Sequence, residues 1–586
     1  MWWQTRNAHL NLNNTESPST LLSKFMPVLI WAPRYSSEKL VADLMAALVV
    51  AIMLIPQAMA YALLAGMPVE TGLYASLLGL VIYCLFGSSN TLSVAPVAVV
   101  SLMTAAALSQ LPLSATADYV IAAFTLTVLC GVILLVLGIL RLGFLANFIS
   151  QPVVSAFITA SAFIIGLTQV RHVLGVEVSG QTALELLPAL LRALPDTSGL
   201  TVALGLASIA GIVWCRTGLR TLLRERGISH SFANALSRSG PILVTVLASL
   251  LAFFVGIESY GVDLLGLVPA GLPILIVPGF SMEQVQSLLG SALLIAIIGF
   301  VESVSVAQVM AMKRGERIDL NQELVGLGAA NIGSAMGGGF PVSGGFSRSV
   351  VNYDAGAATP AAGLFAAMLI ALVVLLLTPI LYWIPRVCLA AIILVAVYSL
   401  VDFSMLVKSW HYSKADFTAV ALTLLLTLSV GVEAGIATGV LVSIVIHLYK
   451  ESNPHVAVVG RVTGTEHFRN VERHQVETFC NQLSLRIDES LYFANVRYLE
   501  ELIHDLTVDK PELEHVILMC TAVNRIDLSA LETLERINQN LQALGISLHL
   551  SEVKGPIMDS LATTGFLNSL TGNNYLSHNQ AVDDLQ

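Results

Sequence analysis

The chain has 586 residues, 55% of them hydrophobic and 12% charged, with a formal net charge of −10. Soluble proteins carry about 25% charged residues, so this composition describes a polytopic membrane protein with some soluble mass attached. The acidic balance speaks against nucleic acid as a partner. The six scattered cysteines, with no Cys-x-x-Cys pair, indicate neither a disulfide framework nor a zinc site.

Residues 1–39 are polar, with Pro18, Pro27 and Pro33, and lack an apolar core followed by a cleavage site. They read as a cytoplasmic lead-in rather than a signal peptide. The first apolar run covers Leu40–Leu64 and holds Pro56, which predicts a bend or unwinding there. A second run follows at Val69–Phe86. The third is short and starts at Ser93-Val94-Ala95-Pro96-Val97-Ala98, a proline near a helix start. It predicts a half-helix entered from an extended segment. Further spans are predicted near 118–140, 147–169, 198–215 and 240–257.

The second half repeats the pattern. Spans are predicted near 285–312 and 322–336, then comes the broken stretch Gly337-Gly338-Gly339-Phe340-Pro341-Val342-Ser343-Gly344-Gly345-Phe346-Ser347-Arg348 with a short helix from about Gly344. More spans follow near 358–383, 385–401, 416–431 and 433–449. The fold class is therefore an all-α membrane domain of about 14 spans in a 7+7 inverted repeat, because interrupted segments fall at matching places in both halves.

Arg216, Arg220, Arg224, Arg226 and Arg238 lie between spans six and seven, and Lys313, Arg314 and Arg317 follow span eight. The positive-inside rule puts both loops, and hence both termini, in the cytoplasm. These residues are read as topology determinants alone. Asp43 and His447 are read as interfacial.

Composition changes at Lys450. The domains are predicted as a lead-in at 1–39, a transporter domain at 40–450, a small α/β domain at 455–570 and a tail at 571–586. Strands are expected at 456–460, 516–520 and 547–550, with an amphipathic helix at 529–544.

Two elements carry chemistry. Half-helix N-termini that meet at mid-membrane present free amides and positive dipole ends to an anion. Arg348 adds a full charge, Ser347 and Ser343 add hydroxyls, and Gln57 and Tyr61 share one helix face at i, i+4. The other element is Glu302, a carboxylate well inside a long span. Such a group is protonated, paired or cation-bound. It can carry a proton, or it can hold sodium with Ser303, Ser305 and backbone carbonyls. A static pair with Arg348 is the bland alternative.

These motifs resemble the SulP family of anion transporters, also called solute carrier family 26. The resemblance rests on Ile55-Pro56-Gln57-Ala58-Met59-Ala60-Tyr61, Ser93-Val94-Ala95-Pro96-Val97 and Gly339-Phe340-Pro341-Val342-Ser343-Gly344-Gly345-Phe346-Ser347-Arg348. It implies core and gate domains that move against each other, a homodimer, and a cytoplasmic STAS domain. It implies an anion site at Gln57, Tyr61, Ala95, Val97, Ser347 and Arg348, with Glu302 for the coupling ion.

The substrate implied is a small inorganic or carboxylate anion. Sulfate with proton symport leads; sodium-coupled bicarbonate, C4-dicarboxylates, and a channel-like or exchange conductor stand as alternatives. No enzymatic constellation, phosphate loop or cofactor site is present in the sequence. The expected location is the inner (plasma) membrane. Ile487–Asn495 resembles the edge-strand motif of STAS domains, and Ile526–Leu531 resembles their loop-to-helix motif. Leu528 stands where phosphorylated relatives carry serine, and Ser529 is expected to cap the helix. A cytosolic partner of the STAS part stays open.

Overall fold

The computed structural model describes residues 25–111, 116–144, 150–225, 237, 240–275, 281–508 and 510–586. Most of the lead-in, together with Arg226 and Arg238, lies outside them. The chain divides into two compact units, 1–443 and 444–586.

A helix lies within every stretch read as a span. In the first half these are α1 (Ser37–Leu64), α2 (Val69–Phe86), α3 (Ala98–Ser109), α4 (Thr116–Ile139), α5 (Gln151–Leu174), α7 (Gly199–Trp214) and α8 (Gly240–Val255). In the second half they are α9 (Met282–Arg314), α10 (Leu320–Met336), α11 (Phe346–Asp354), α12 (Ala361–Leu376), α13 (Arg386–Tyr398), α15 (Lys414–Ser429) and α16 (Val432–Ser452). Among the described residues seven helices are long and apolar enough to cross a membrane, and four shorter apolar ones accompany them.

Two amphipathic helices were not expected: α6 (Ala183–Ala193) and α14 (Ser404–Tyr412). Each is too short and too mixed in polarity to read as a span. α1 is continuous through Pro56 rather than unwound. Proline removes one helical amide, and in this helix the chain carries on through it.

Asp43 is an anchor within the fold. It is fully buried, and its carboxylate accepts the Ala358 and Thr359 amides at 2.6 and 3.0 Å, the Thr359 hydroxyl at 2.6 Å and the Tyr35 hydroxyl at 2.9 Å. It ties the start of α1 to the turn before α12.

The two interrupted segments meet. β1 (Val94–Ala95) pairs antiparallel with β2 (Ser343–Gly344), Val94 opposite Gly344 and Ala95 opposite Ser343. Side chains hold the irregular backbone, whose polar groups are buried and need partners. Asn331 both accepts from the Val342 amide and donates to its carbonyl, each at 3.0 Å. Ser349 Oγ accepts the Ser93 amide at 3.0 Å, and Asn352 donates to the Thr91 carbonyl at 3.0 Å. Gly338, at φ +72°, makes the turn into this segment.

The second unit is a six-stranded sheet in the order β4-β3-β5-β6-β7-β8. Its strands are β3 (Val456–Arg461), β4 (Phe468–Asn470), β5 (Gln482–Ile487), β6 (His515–Met519), β7 (Ser547–Ser551) and β8 (Asn574–Tyr575). β5 to β8 run parallel; β3 is antiparallel to both neighbours. Helices α17 (Val496–Val508), α18 (Leu528–Ala543), α19 (Gly555–Ala562) and α20 (His578–Asp584) complete the unit.

Three expectations change here. β5 lies between β3 and β6, so Ile487–Asn495 leaves an interior strand and is not an edge strand. The cap of α18 is Asp527, whose carboxylate accepts the Ala530 amide at 2.8 Å; exposed Ser529 is already inside the helix. The stretch read as a tail forms β8 and α20, with Ala581 and Val582 buried. Too few apolar residues occur there to stand out in the sequence.

Candidate functional site

The two half-helices position the site. α3 begins after Val97 and α11 after Gly345, and no side chain caps either N-terminus. The first amides of a helix have no intrahelical acceptor. Both capping residues line one cavity of about 390 Å³, within the ~300–1,000 Å³ of small-molecule sites.

Of the residues singled out in the sequence, Gln57, Tyr61, Val97, Ser347, Arg348 and Glu302 line this cavity. α1 supplies Gln57 and Tyr61, α9 supplies Glu302, and α11 supplies Ser347 and Arg348. Ala95 does not line it. Its carbonyl points at Arg348 instead, accepting Nη2 at 3.2 Å, while Nη1 donates to the Pro96 carbonyl at 2.8 Å. Arg348 is 2% exposed, and its Nε is buried without a hydrogen-bond partner. The guanidinium thus joins the two interrupted segments and keeps its charge at the cavity wall.

Ser343 does not face the cavity. Its hydroxyl donates to the Gly299 carbonyl at 2.8 Å and lies 2.9 Å from Ser303 Oγ, which accepts the Gly344 amide at 2.8 Å. Ser303 and Ser343 therefore dock β2 onto α9. Ser305 is exposed and bonds the Val301 carbonyl at 2.7 Å. The serines suggested as sodium ligands are thus spread over different faces.

Glu302 forms no ion pair with Arg348 within 4 Å among the described residues, and its Oε2 is buried without a hydrogen-bond partner. A static pair, the bland reading of the sequence, is not what holds it.

Arg216 also lines the cavity. Sequence reasoning counted it only as a topology signal. It stands in one π-helical turn, Cys215–Leu219, directly after α7. Such turns often mark functional sites, but no sequence pattern announces one. Glu323 was missed as well. It is fully buried and accepts from Tyr83 Oη at 2.9 Å, the Ser88 hydroxyl at 2.6 Å and the Ser88 amide at 2.9 Å. This carboxylate has its partners and serves packing.

The arrangement is a helical membrane domain in which two half-helices with paired entry strands open onto a cationic cavity, followed by an α/β unit. Its fold matches solved structures of an anion transporter. The overall structure of SLC26A9 aligns with TM-score 0.88 at 21% identity, covering 96% of this chain and 93% of that one. The transmembrane domain of a cyanobacterium bicarbonate transporter, BicA, aligns with TM-score 0.57 at 23% identity over 70% of this chain and 98% of that one.

In sequence, residues 40–423 match the sulfate permease family and residues 471–581 match the STAS domain. The chain belongs to the sulfate permease family, whose members are transporters and not enzymes. It is 33% identical to the chloroplastic sulfate transporter 4.1 of Arabidopsis thaliana, over 93% of this chain and 80% of that protein. It is 30% identical to a probable sulfate transporter of Mycobacterium tuberculosis, over 92% and 95% of the two chains.

Proposed function

We propose that this chain carries sulfate across the membrane by alternating access, coupled to protons through Glu302. One observation carries the reading. The uncapped N-termini of α3 and α11, Arg348 and the unpaired carboxylate of Glu302 all face one cavity. Amides and a guanidinium suit an oxyanion without a metal. A carboxylate beside them has a reason to be there if it takes a proton as the anion enters, since a doubly charged anion and an ionised carboxylate repel each other.

Gln57 and Tyr61 close the site from α1, Val97 and Ser347 contact the anion, and Arg348 balances its charge. Proton coupling is favoured over sodium because Ser303 Oγ already accepts the Gly344 amide and Ser305 lies on an exposed face, and neither lines the cavity. The relatives named as sulfate transporters favour sulfate over bicarbonate or dicarboxylates. The protein resides in the inner (plasma) membrane with the N-terminus and STAS domain in the cytoplasm, and works as a homodimer. A cytosolic ligand of the STAS domain would then sense or gate transport.

The test is uptake of labelled sulfate, fumarate and bicarbonate into proteoliposomes under an inward proton or sodium gradient, with Glu302→Gln beside wild type. Sulfate accumulation that needs the proton gradient and is lost in Glu302→Gln, with binding retained, supports the reading. Uptake that ignores both gradients and survives the substitution makes the protein a uniporter, exchanger or channel.

A further inference from the structure

A second cationic cavity, of about 240 Å³, is lined by Arg171, His172, Arg386, Gln169, Leu63 and Gly66. It shares two walls with the central cavity. On α1 the central cavity touches Gln57 and Tyr61, and the second touches Leu63 just beyond. On α13 the order reverses: Ala396 faces the central cavity, whereas Arg386, Leu389, Ala390 and Ile393 face the second. At 1.5 Å rise per residue, their nearest lining residues lie about 3 Å apart along α1 (Tyr61 and Leu63) and about 4.5 Å apart along α13 (Ile393 and Ala396). Buried Ala62 on α1 and buried Val395 on α13 stand between the two sets of lining residues.

The polar groups of this second cavity are arranged for an anion. Arg171 Nη1 donates to the Val178 carbonyl at 2.8 Å, and its Nε donates to His172 Nε2 at 3.3 Å. Neither Arg171 nor Arg386 forms an ion pair with a carboxylate within 4 Å among the described residues. Asp263, whose carbonyl accepts the Arg386 amide at 2.9 Å, brings the nearby acidic charge. Gln169 is 4% exposed. An adjoining lobe, also lined by Gln169 and Arg171, holds Glu433, which accepts from Gln110 at 3.1 Å. Two guanidiniums without carboxylate partners at the mouth of an apolar constriction concentrate anions there.

We infer that Arg171, Arg386, His172 and Gln169 form a second binding site for small oxyanions, a staging site beside the central cavity along α1 and α13. The inference rests on the transport reading. Arg386 binds the anion directly, because its side chain is exposed and carries no internal hydrogen bond among the described residues. Arg171 and Gln169 form the floor. The site loads the anion before it passes to the central cavity, or receives it afterwards.

Equilibrium binding of labelled sulfate to the full-length protein in nanodiscs, together with uptake kinetics, tests this. Wild type, Arg386→Gln, Arg386→Lys and Arg348→Gln are compared. Wild type is expected to bind two sulfates per chain. Arg386→Gln is expected to bind one and to raise KM about five- to tenfold, the loss of one charged hydrogen bond, with kcat within about twofold. Arg386→Lys restores most of the second site. Arg348→Gln loses uptake and keeps the second site. Unchanged stoichiometry and KM in Arg386→Gln overturn the staging site and leave the transport reading standing. A wild-type protein that takes up none of the three anions overturns both.

Discussion

Arg348 Nη1 donates to the carbonyl of Pro96 at 2.8 Å, across 252 residues of sequence. The arginine of one half-helix thereby holds the entry strand of the other. The same guanidinium faces the cavity. On the proposed function, structure and binding are joined in one side chain, which constrains how it can be replaced.

Arg348→Lys keeps the charge but cannot reproduce a planar fork that reaches two carbonyls. Sulfate uptake is expected to fall about tenfold or more in Arg348→Lys and to vanish in Arg348→Gln. Thermal unfolding of both variants should drop together, since each leaves the Ala95 or Pro96 carbonyl without its donor. Uptake near the wild-type level in Arg348→Gln would remove Arg348 from the anion site.

Ser303 and Ser343 were weighed in the sequence as ion or anion ligands, yet they bond each other and the backbone of α9 and β2. Ser303→Ala leaves the buried Gly344 amide without an acceptor. A cost of about 1–3 kcal/mol in stability is expected. The coupling ion should remain the same. A switch in ion dependence of uptake in Ser303→Ala, with stability unchanged, would refute the docking role.

How far the sequence could be read follows from the kind of signal each residue gives. Arg348, Glu302 and the glycine-rich break stand out because charges and broken helices are costly in an apolar span. Their gathering into one cavity was therefore legible. Ser343 lies five residues before Arg348 and looks like part of the same site, but the β1–β2 pairing sets its side chain toward α9. That direction depends on register, which needs the partner strand. Arg216 was hidden by the opposite problem. Basic residues at a span end already have an ordinary explanation, and only the turn after α7 brings this one to the cavity. The helices α6 and α14 and the strand β8 are short, so their stability comes from packing rather than from a pattern in the chain.

The loop before α18 offers a contrast between two neighbours. Asp527 accepts the Ala530 amide at 2.8 Å and the Phe493 amide at 3.0 Å. Asp527→Ala removes a cap and a loop tether, and should cost about 1–2 kcal/mol. Ser529 is exposed and makes no side-chain cap. Ser529→Ala and Ser529→Asp are expected to change stability by less than about 0.5 kcal/mol. Differential scanning fluorimetry of the full-length protein reads both. A large loss with Ser529→Ala and none with Asp527→Ala would restore Ser529 as the cap.

The second unit should weaken on mild acidification. His549 is held down at about 4, from an ordinary 6.5, by burial and then by the charge of His515. His578 is likewise held at about 4 by burial, with Glu552 pulling the other way. Geometry agrees: His549 Nδ1 accepts the Asn573 amide at 3.0 Å, so a proton there would displace that bond. In the unfolded chain both rings take a proton below 6.5; in the folded chain neither does until about 4. The unfolded state therefore binds more protons across that window, and stability falls as pH drops from 6.5 towards 4. Amide hydrogen exchange of β7 and α20 in the full-length protein, corrected for intrinsic rates, should speed up between about pH 7 and about pH 5. His549→Asn with His578→Asn should flatten that dependence, because Asn keeps a hydrogen-bonding side chain and does not titrate. A slope as steep as wild type in the double variant would show that other groups govern the acid response.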